Sequence, residues 1–189
     1  MHVHERYQHL AQETVNLGPR RPEILKTDCW NEGKWIKNYY FPVATLFPAE
    51  QTTCLELNPK MVTKALNDCP GLRVVQGNIT KMPFVDGRFD VLLDVSTIDH
   101  IPDPAVAIGE YARVVRPGGM LLIVAWFTDN AEIRNNPKPD QWDELQYYFD
   151  LRPFQRALAS RFTILRQGKI PELAGETYLW HFIARRMDN

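Results

Sequence analysis

The sequence predicts an α/β fold: a doubly wound, mostly parallel sheet with helices on both faces and an antiparallel strand in its C-terminal hairpin. Three observations predict it. Apolar runs of strand length alternate with segments of helical periodicity through most of the chain, the pattern left by right-handed β-α-β crossovers. The same helix-start signal, a capping side chain followed by proline, recurs at Asn58-Pro59 and Asp103-Pro104. The last two apolar runs are joined by a connection holding Gly168, Pro171 and Gly175. No helix separates them, so they read as a hairpin.

The elements follow in order. "ERYQHLAQETVNL" has apolar residues at helical spacing and ends before Gly18, which predicts a leading helix. "EILKTD" reads as the first strand, and "KWIKNYYFPVATLF" as an aromatic segment that starts helical and is interrupted at Pro42. "TTCLEL" is the second strand. Asn58 then caps a helix whose apolar face carries Met61, Ala65 and Leu66. "LRVVQG" and "FDVLLDVS" are the third and fourth strands. After Asp103-Pro104 a helix presents Ile108, Tyr111, Ala112 and Val115 on one face, has Arg113 and Arg116 in its last turn, and is stopped by Pro117-Gly118-Gly119. "MLLIVAWF" is a continuous apolar strand, as expected when both faces are covered. A polar and aromatic connection with a helix, Thr128 to Ser160, leads to the strands "FTILRQ" and "TYLWHFIARR".

Composition bounds the function. The 189 residues, 44% hydrophobic, suffice for one domain with a sizeable core, expected to span 1–189. Lys+Arg 22 against Asp+Glu 23 gives a net charge of -1, so no global basic field supports nucleic-acid binding. Cys29, Cys54 and Cys69 lack C-x-x-C spacing and read as reduced structural thiols. "MHVHERYQHL" has no apolar signal core, and "MLLIVAWF" is too short to span a bilayer, so a cytoplasmic protein without a membrane partner is expected. His2 and His4 are not assigned as metal ligands, no metal is expected, and the oligomeric state is not legible.

The run "LELNPKMVTKA…LRVVQGNITKMPFVDGRFDVLLDVSTIDHIPDPAVAIGEYARVVRPGGMLLIV" closely resembles the core of class I S-adenosylmethionine (SAM) dependent methyltransferases of the small-molecule, methyltransferase type 11-like kind. Four pieces agree in order and spacing: the acid ending strand two, "GNITKMPF", "FDVLLDVSTIDHI" and "RVVRPGGMLLI". The resemblance implies a Rossmann-like, seven-stranded sheet, SAM as cofactor and a small-molecule acceptor, sugar-like or aromatic. It implies cofactor contacts from Lys26, Thr27, Asp28, Trp30 and Glu32 after strand one, from Glu56 and Leu57 after strand two, from Asn78 and Ile79 after strand three, and from Asp94, Val95 and Ser96 after strand four.

Each position also has its own physical reading. Glu56 ends a strand on the ligand side, where a carboxylate can accept two hydrogen bonds from a ribose diol; the plainer account is a solvated strand-end acid. Asn78 stands where the family usually has an aspartate, and either accepts a bond from the adenine amino group or stabilises its own turn. "ILKTDCWNE" falls in register with the family's first strand and glycine-rich loop, but Asp28, Trp30 and Glu32 replace the glycines and Lys26 replaces the acid. Glycines there let the backbone approach the methionine portion of the cofactor.

Three readings follow. In the first, SAM still binds: Asp28 or Glu32 holds the amino group, Lys26 pairs with the carboxylate, and Trp30 packs over the sulfonium. In the second the fold is kept and SAM is lost, with Trp30 and Tyr39 or Tyr40 filling the pocket, giving a catalytically silent partner or regulator. In the third the site is rebuilt for another ligand, such as a nucleotide-linked metabolite. For the chemistry, His100 is the candidate base and Asp99 the group that orients it; against this, adjacent side chains tend to point apart. Trp126, Asp129, Trp142, Tyr147, Tyr148 and Phe149 form either an acceptor lid or an aromatic cover on the sheet. His181 reads as a core or edge histidine.

Overall fold

The computed structural model describes residues 3–29, 46–139, 144–170 and 175–188. The elements are α1 (Val3–Asn16), β1 (Ile24–Thr27), β2 (Thr52–Glu56), α2 (Pro59–Asp68), β3 (Arg73–Gln76), β4 (Phe89–Val95), α3 (Pro104–Val114), β5 (Val115–Thr128), α4 (Ala131–Asn135), β6 (Lys138–Pro139), β7 (Leu145–Gln146), α5 (Leu151–Ala159), β8 (Phe162–Ile170) and β9 (Thr177–Arg186). Both expected caps form: Asn58 accepts from the Lys60 N–H and Asp103 from the Ala105 N–H, each with proline in the first turn. Most of "KWIKNYYFPVATLF" lies outside the described residues.

Among the described residues seven strands form one sheet in the order β3-β2-β1-β4-β5-β9-β8. β1 pairs in parallel with β2 and β4, β2 with β3, and β4 with β5, whereas β9 runs antiparallel to both β5 and β8. The last strand therefore lies inside the sheet and β8 takes the edge. Burial explains the choice: β9 is buried along most of its length, while β8 exposes Thr163, Leu165, Arg166, Gln167 and Lys169. Charged and polar side chains on an edge strand discourage pairing with another chain.

The core is two-sided. Along β5, Met120, Leu122 and Val124 join α1 on one face, and Leu121, Ile123, Ala125 and Phe127 join α3 and α5 on the other. This period of two explains why the strand reads as continuously apolar. The Pro-Gly-Gly run lies inside β5, where Val115 already pairs with Phe89 and the register shifts before Val91. A Cβ on Gly119 would meet the Arg116 and Asp90 carbonyl oxygens at 2.8 Å, so the irregularity needs glycine. The connection from Thr128 to Ser160 contains a small hairpin, β6 with β7, that periodicity does not reveal because each strand has two residues.

Candidate functional site

The parallel strands deliver Thr27, Glu56, Gln76, Val95 and Thr128 to one end of the sheet. Ligands of doubly wound sheets bind at this end.

At the end of β1, Asp28 has φ +63°, the left-handed conformation that glycine adopts freely and other residues adopt at a cost of about 1 kcal/mol. The turn thus takes a backbone conformation that suits glycine with an aspartate in the position. Three hydrogen bonds hold it: the Asp28 N–H donates to the Leu55 carbonyl at 2.8 Å, the Cys29 N–H to Glu56 Oε2 at 3.1 Å, and buried Lys26 Nζ to the Asp28 carbonyl at 2.5 Å. Lys26 thereby braces the loop's own backbone. Cys29 and Cys54, both fully buried, pack with Ala65 and Leu72 below this turn as free thiols. The hydrogen bond with Cys54, and then burial, push the Cys29 thiol far up, as an inert core thiol requires. Trp30 and Glu32, with Tyr39 and Tyr40, lie outside the described residues.

Glu56 closes β2 with its side chain largely buried. Its Oε1 accepts from the Asn58 N–H at 2.8 Å while Oε2 accepts from Cys29. Two backbone donors leave lone pairs on a carboxylate for a diol, so the group fits a ribose and orders the loop at once. Leu57 beside it is 63% exposed, an apolar side chain presented to solvent at the ligand end. Asn78 uses its side-chain oxygen on the Thr80 N–H and hydroxyl, both at 2.8 Å, which is the turn-stabilising alternative. Ile79 is buried in the core.

The end of β4 is built from buried acids. Asp94 is fully buried; Oδ1 accepts from the N–H groups of Thr97 (3.1 Å) and Ile98 (3.3 Å), and Oδ2 accepts a short bond from the Tyr111 hydroxyl on α3. Thr27 donates to the Thr97 hydroxyl at 2.9 Å, tying β1 into the same network. Burial raises the Asp94 carboxyl and the Tyr111 phenol above their ordinary values. Asp94 therefore holds the turn from inside. Val95 is half-buried, and Ser96 is left-handed at φ +58°.

Asp99 and His100 follow in a 3-10 turn (Ile98–His100) and point apart. Asp99 is fully buried, and its Oδ1 accepts from the Trp126 N–H of β5 at 2.9 Å. His100 is half-buried, and its Nδ1 meets the Leu145 carbonyl at 3.1 Å, with Glu144 Oε2 at 4.0 Å. The expected direct Asp99–His100 pair therefore does not form: successive side chains in this turn face different neighbours, and the Leu145 carbonyl, not the Asp99 carboxyl, contacts the imidazole. Residues 144–149 lie over this turn as a strap. The Tyr147 N–H donates to the Asp99 carbonyl at 2.8 Å, Phe149 N–H to Trp126 carbonyl at 3.1 Å, and Thr128 N–H to Phe149 carbonyl at 3.1 Å.

The aromatic segment divides. Phe149 joins a buried cluster with Phe127, Phe154 and Phe182, so it covers the sheet. Trp126 and Tyr148 are half-buried, with ring centroids 6.2 Å apart. Trp142 lies outside the described residues. Beyond the strap, a cavity of about 250 Å³ is lined by Asp129, Asn130, Lys169, Gly175, Glu176 and Tyr178, with Lys169 Nζ 4.5 Å over the Tyr178 ring. His181 is buried between Val124 and Gly168, without a hydrogen-bond partner on either ring nitrogen among the described residues, and burial lowers its pKa. No group of three or more metal-ligating side chains occurs among the described residues.

Sequence reasoning missed Tyr111, Gln146 and Arg113 as site-shaping residues. Tyr111 sits on the apolar face of a helix, where a core role is the natural reading. Arg113 donates to the carbonyls of Phe84 (2.6 Å) and Met82 (3.0 Å) and pairs with Glu110 and Asp86, holding the "KMPFVDG" segment; its hydrogen bond lowers the Glu110 carboxyl. Its place in a last helical turn suggested only a dipole contact.

The sheet order, the acid closing β2 and the left-handed turn after β1 define a Rossmann-like α/β protein of the methyltransferase type. Residues 38–123 match the family described as "Methyltransferase domain". The fold is shared with a SAM-dependent methyltransferase structure from Methanosarcina mazei, with a TM-score of 0.70 at 19% identity, covering 92% of this chain and 96% of that one. A phthiotriol/phenolphthiotriol dimycocerosates methyltransferase of Mycobacterium leprae is 30% identical over 144 residues, covering 75% of this chain and 48% of that protein. A 2-methyl-6-phytyl-1,4-hydroquinone methyltransferase of Synechocystis sp. is 37% identical over 94 residues, covering 48% of this chain and 26% of that protein. The chain spans less than half the length of these relatives. Among solved structures, an N-methyltransferase of Bradyrhizobium japonicum in complex with S-adenosylhomocysteine aligns with a TM-score of 0.69 at 15% identity, covering 96% of this chain and 86% of that one, and shows the shared fold. No helix among the described residues is long and apolar enough to cross a membrane.

Proposed function

We propose that the chain binds SAM and transfers its methyl group to a hydroxyl on a small-molecule acceptor, within a single domain spanning the sequence. The observation that carries this reading is the left-handed Asp28 turn fastened to Glu56: the cofactor loop keeps a glycine backbone geometry that costs stability, and it is tied to a carboxylate suited to a ribose. A site in decay has no reason to retain such a conformation. The acceptors named in the M. leprae and Synechocystis relatives, a phthiotriol and a hydroquinone, carry hydroxyl groups.

In this reading Glu56 holds the ribose diol and Leu57 lies along the base. Bound SAM supplies an electrophilic methyl on a sulfonium. Lys26 keeps the Asp28 turn closed, and the Asp28 carboxylate lies within the loop that faces the methionine end. His100 removes the acceptor proton: its Nδ1 donates to the Leu145 carbonyl, which leaves the lone pair of the neutral ring on Nε2. The acceptor body extends over Trp126 and Tyr148 toward the Lys169–Tyr178 cavity. At about 4.8 Å per strand, β4 to β9 spans roughly 10 Å, the length of a small ring system with a substituent.

A second reading, a catalytically silent member of the fold, is favoured by one observation: Lys26 puts a positive charge where the family carries an acid. A thermal-shift series separates the two, because a ligand that binds only the native state raises the melting temperature. SAM and S-adenosylhomocysteine are expected to raise it, while NAD and UDP-sugars leave it unchanged. No shift with either SAM compound at millimolar concentration would overturn the enzyme reading.

A further inference from the structure

Asp99 is a buried acid that is only half satisfied by hydrogen bonds. Its Oδ1 is bonded to the Trp126 N–H, but Oδ2 is enclosed with no hydrogen-bond partner among the described residues. The Ser96 and Gln146 side chains lie close enough to favour its charged form without bonding geometry, and Asp94 and the Tyr111 phenol, both acids, act on it from β4 and α3. An ionised carboxylate with one bare oxygen beside a second buried acid is among the costliest arrangements a fold can hold, and protonation removes that cost. Burial first, and then Asp94, drive the Asp99 carboxyl well above the ordinary range.

The same residue sits at a junction. Its side chain accepts from β5, its carbonyl accepts from Tyr147 in the strap, and Gln146 is buried against it. The next residue is His100, whose ring is held by Leu145 of that strap. We propose that Asp99 is a positioning residue that works as a neutral acid: it locks the 3-10 turn to β5 and to the 144–149 strap, and so fixes His100 as the Nδ1–H tautomer with Nε2 unprotonated. The value of this to catalysis rests on the reading of His100 as base. The locking itself does not, and it is tested without any methyl donor or acceptor.

Infrared spectra of wild-type protein labelled with carboxyl-¹³C aspartate come first and need no variant. The carbonyl stretch of a buried protonated carboxylic acid should be present at neutral pH, and Asp99→Asn should remove one such component. Absence of the band in the wild type overturns the proposal. Imidazole nitrogen shifts then read the His100 tautomer. Asp99→Asn, which keeps a neutral side chain with a donor, should retain the Nδ1–H form and amide exchange at Trp126 and Tyr147 within about threefold of wild type. Asp99→Ala should mix the tautomers and speed that exchange by about tenfold or more. An Asp99→Asn protein that behaves like Asp99→Ala would show that the charge is needed and would sink the neutral-acid role. An Asp99→Ala protein with wild-type tautomer and exchange would remove Asp99 from positioning altogether. A failed ligand shift combined with these results would end the methyltransferase reading and leave this one standing.

Discussion

The turns after β1 and β4 lie at the same end of the sheet on adjacent strands, and each carries a left-handed residue that is not glycine, Asp28 and Ser96. They are fastened in opposite ways. The first is closed by a cation, with Lys26 bonded to a carbonyl and Glu56 bonded to a backbone N–H. The second is closed by acids with their bonds directed inward, Asp94 to three donors and Asp99 to one. A charge held near a ligand surface can be shared with a ligand, whereas a carboxyl buried in the core can only organise the protein. In the proposed function the β1 turn therefore faces the cofactor, and the β4 turn is the platform that carries His100.

Breaking the platform should have the largest effect. Asp94→Ala leaves two N–H groups and a phenol unpaired in the core, and is expected to cost about 3 to 5 kcal/mol in urea unfolding, against little for an exposed acid such as Asp103 changed to Asn. The same platform fixes the sign of a pH dependence. Asp94 and Asp99 have carboxyls raised in the folded state, so the stability they contribute is complete below the ordinary aspartate pKa of about 3.9 and is lost as pH rises toward their folded values. Unfolding free energy measured from pH 4 to 8 should contain a component that falls with pH, and Asp99→Asn should flatten it; an unchanged slope would place the proton elsewhere.

The outward turn should fail in binding before it fails in stability. Glu56→Ala should weaken S-adenosylhomocysteine by roughly 1.5 to 3 kcal/mol in calorimetric titration while the domain stays folded, because a bond to a charged group is lost together with the brace on Cys29. Lys26→Met should weaken it by about 1 to 2 kcal/mol and weaken adenosine less, since the damage is confined to the Asp28 turn. Equal losses for both ligands would mean that the loop does not discriminate the methionine end. Smallest of all, Ser96→Gly should raise stability by about 0.5 to 1 kcal/mol by relieving a left-handed residue.

The sequence by itself determined the layered fold, most strand positions, both proline-led helix starts and the acid that closes β2, because each depends on local chemistry: a period of two or 3.6, a capping side chain, a carboxylate at a strand end. It also exposed the missing glycines of the first loop. Only the tertiary structure decided what replaced them. Whether Asp28 could take a left-handed turn depended on Lys26, Leu55 and Glu56, residues from two strands that periodicity cannot bring into register. Asp99 and His100 sit side by side in the chain, yet their partners, Trp126 and Leu145, arrive from β5 and the strap beyond it. The position of β9 was decided in the same way, since a hairpin signal gives two strands but only the burial each can gain settles which lies inside. Local signals name the groups, and long-range packing assigns their partners, because the cost of an unpaired buried group is set by whatever the rest of the fold brings against it.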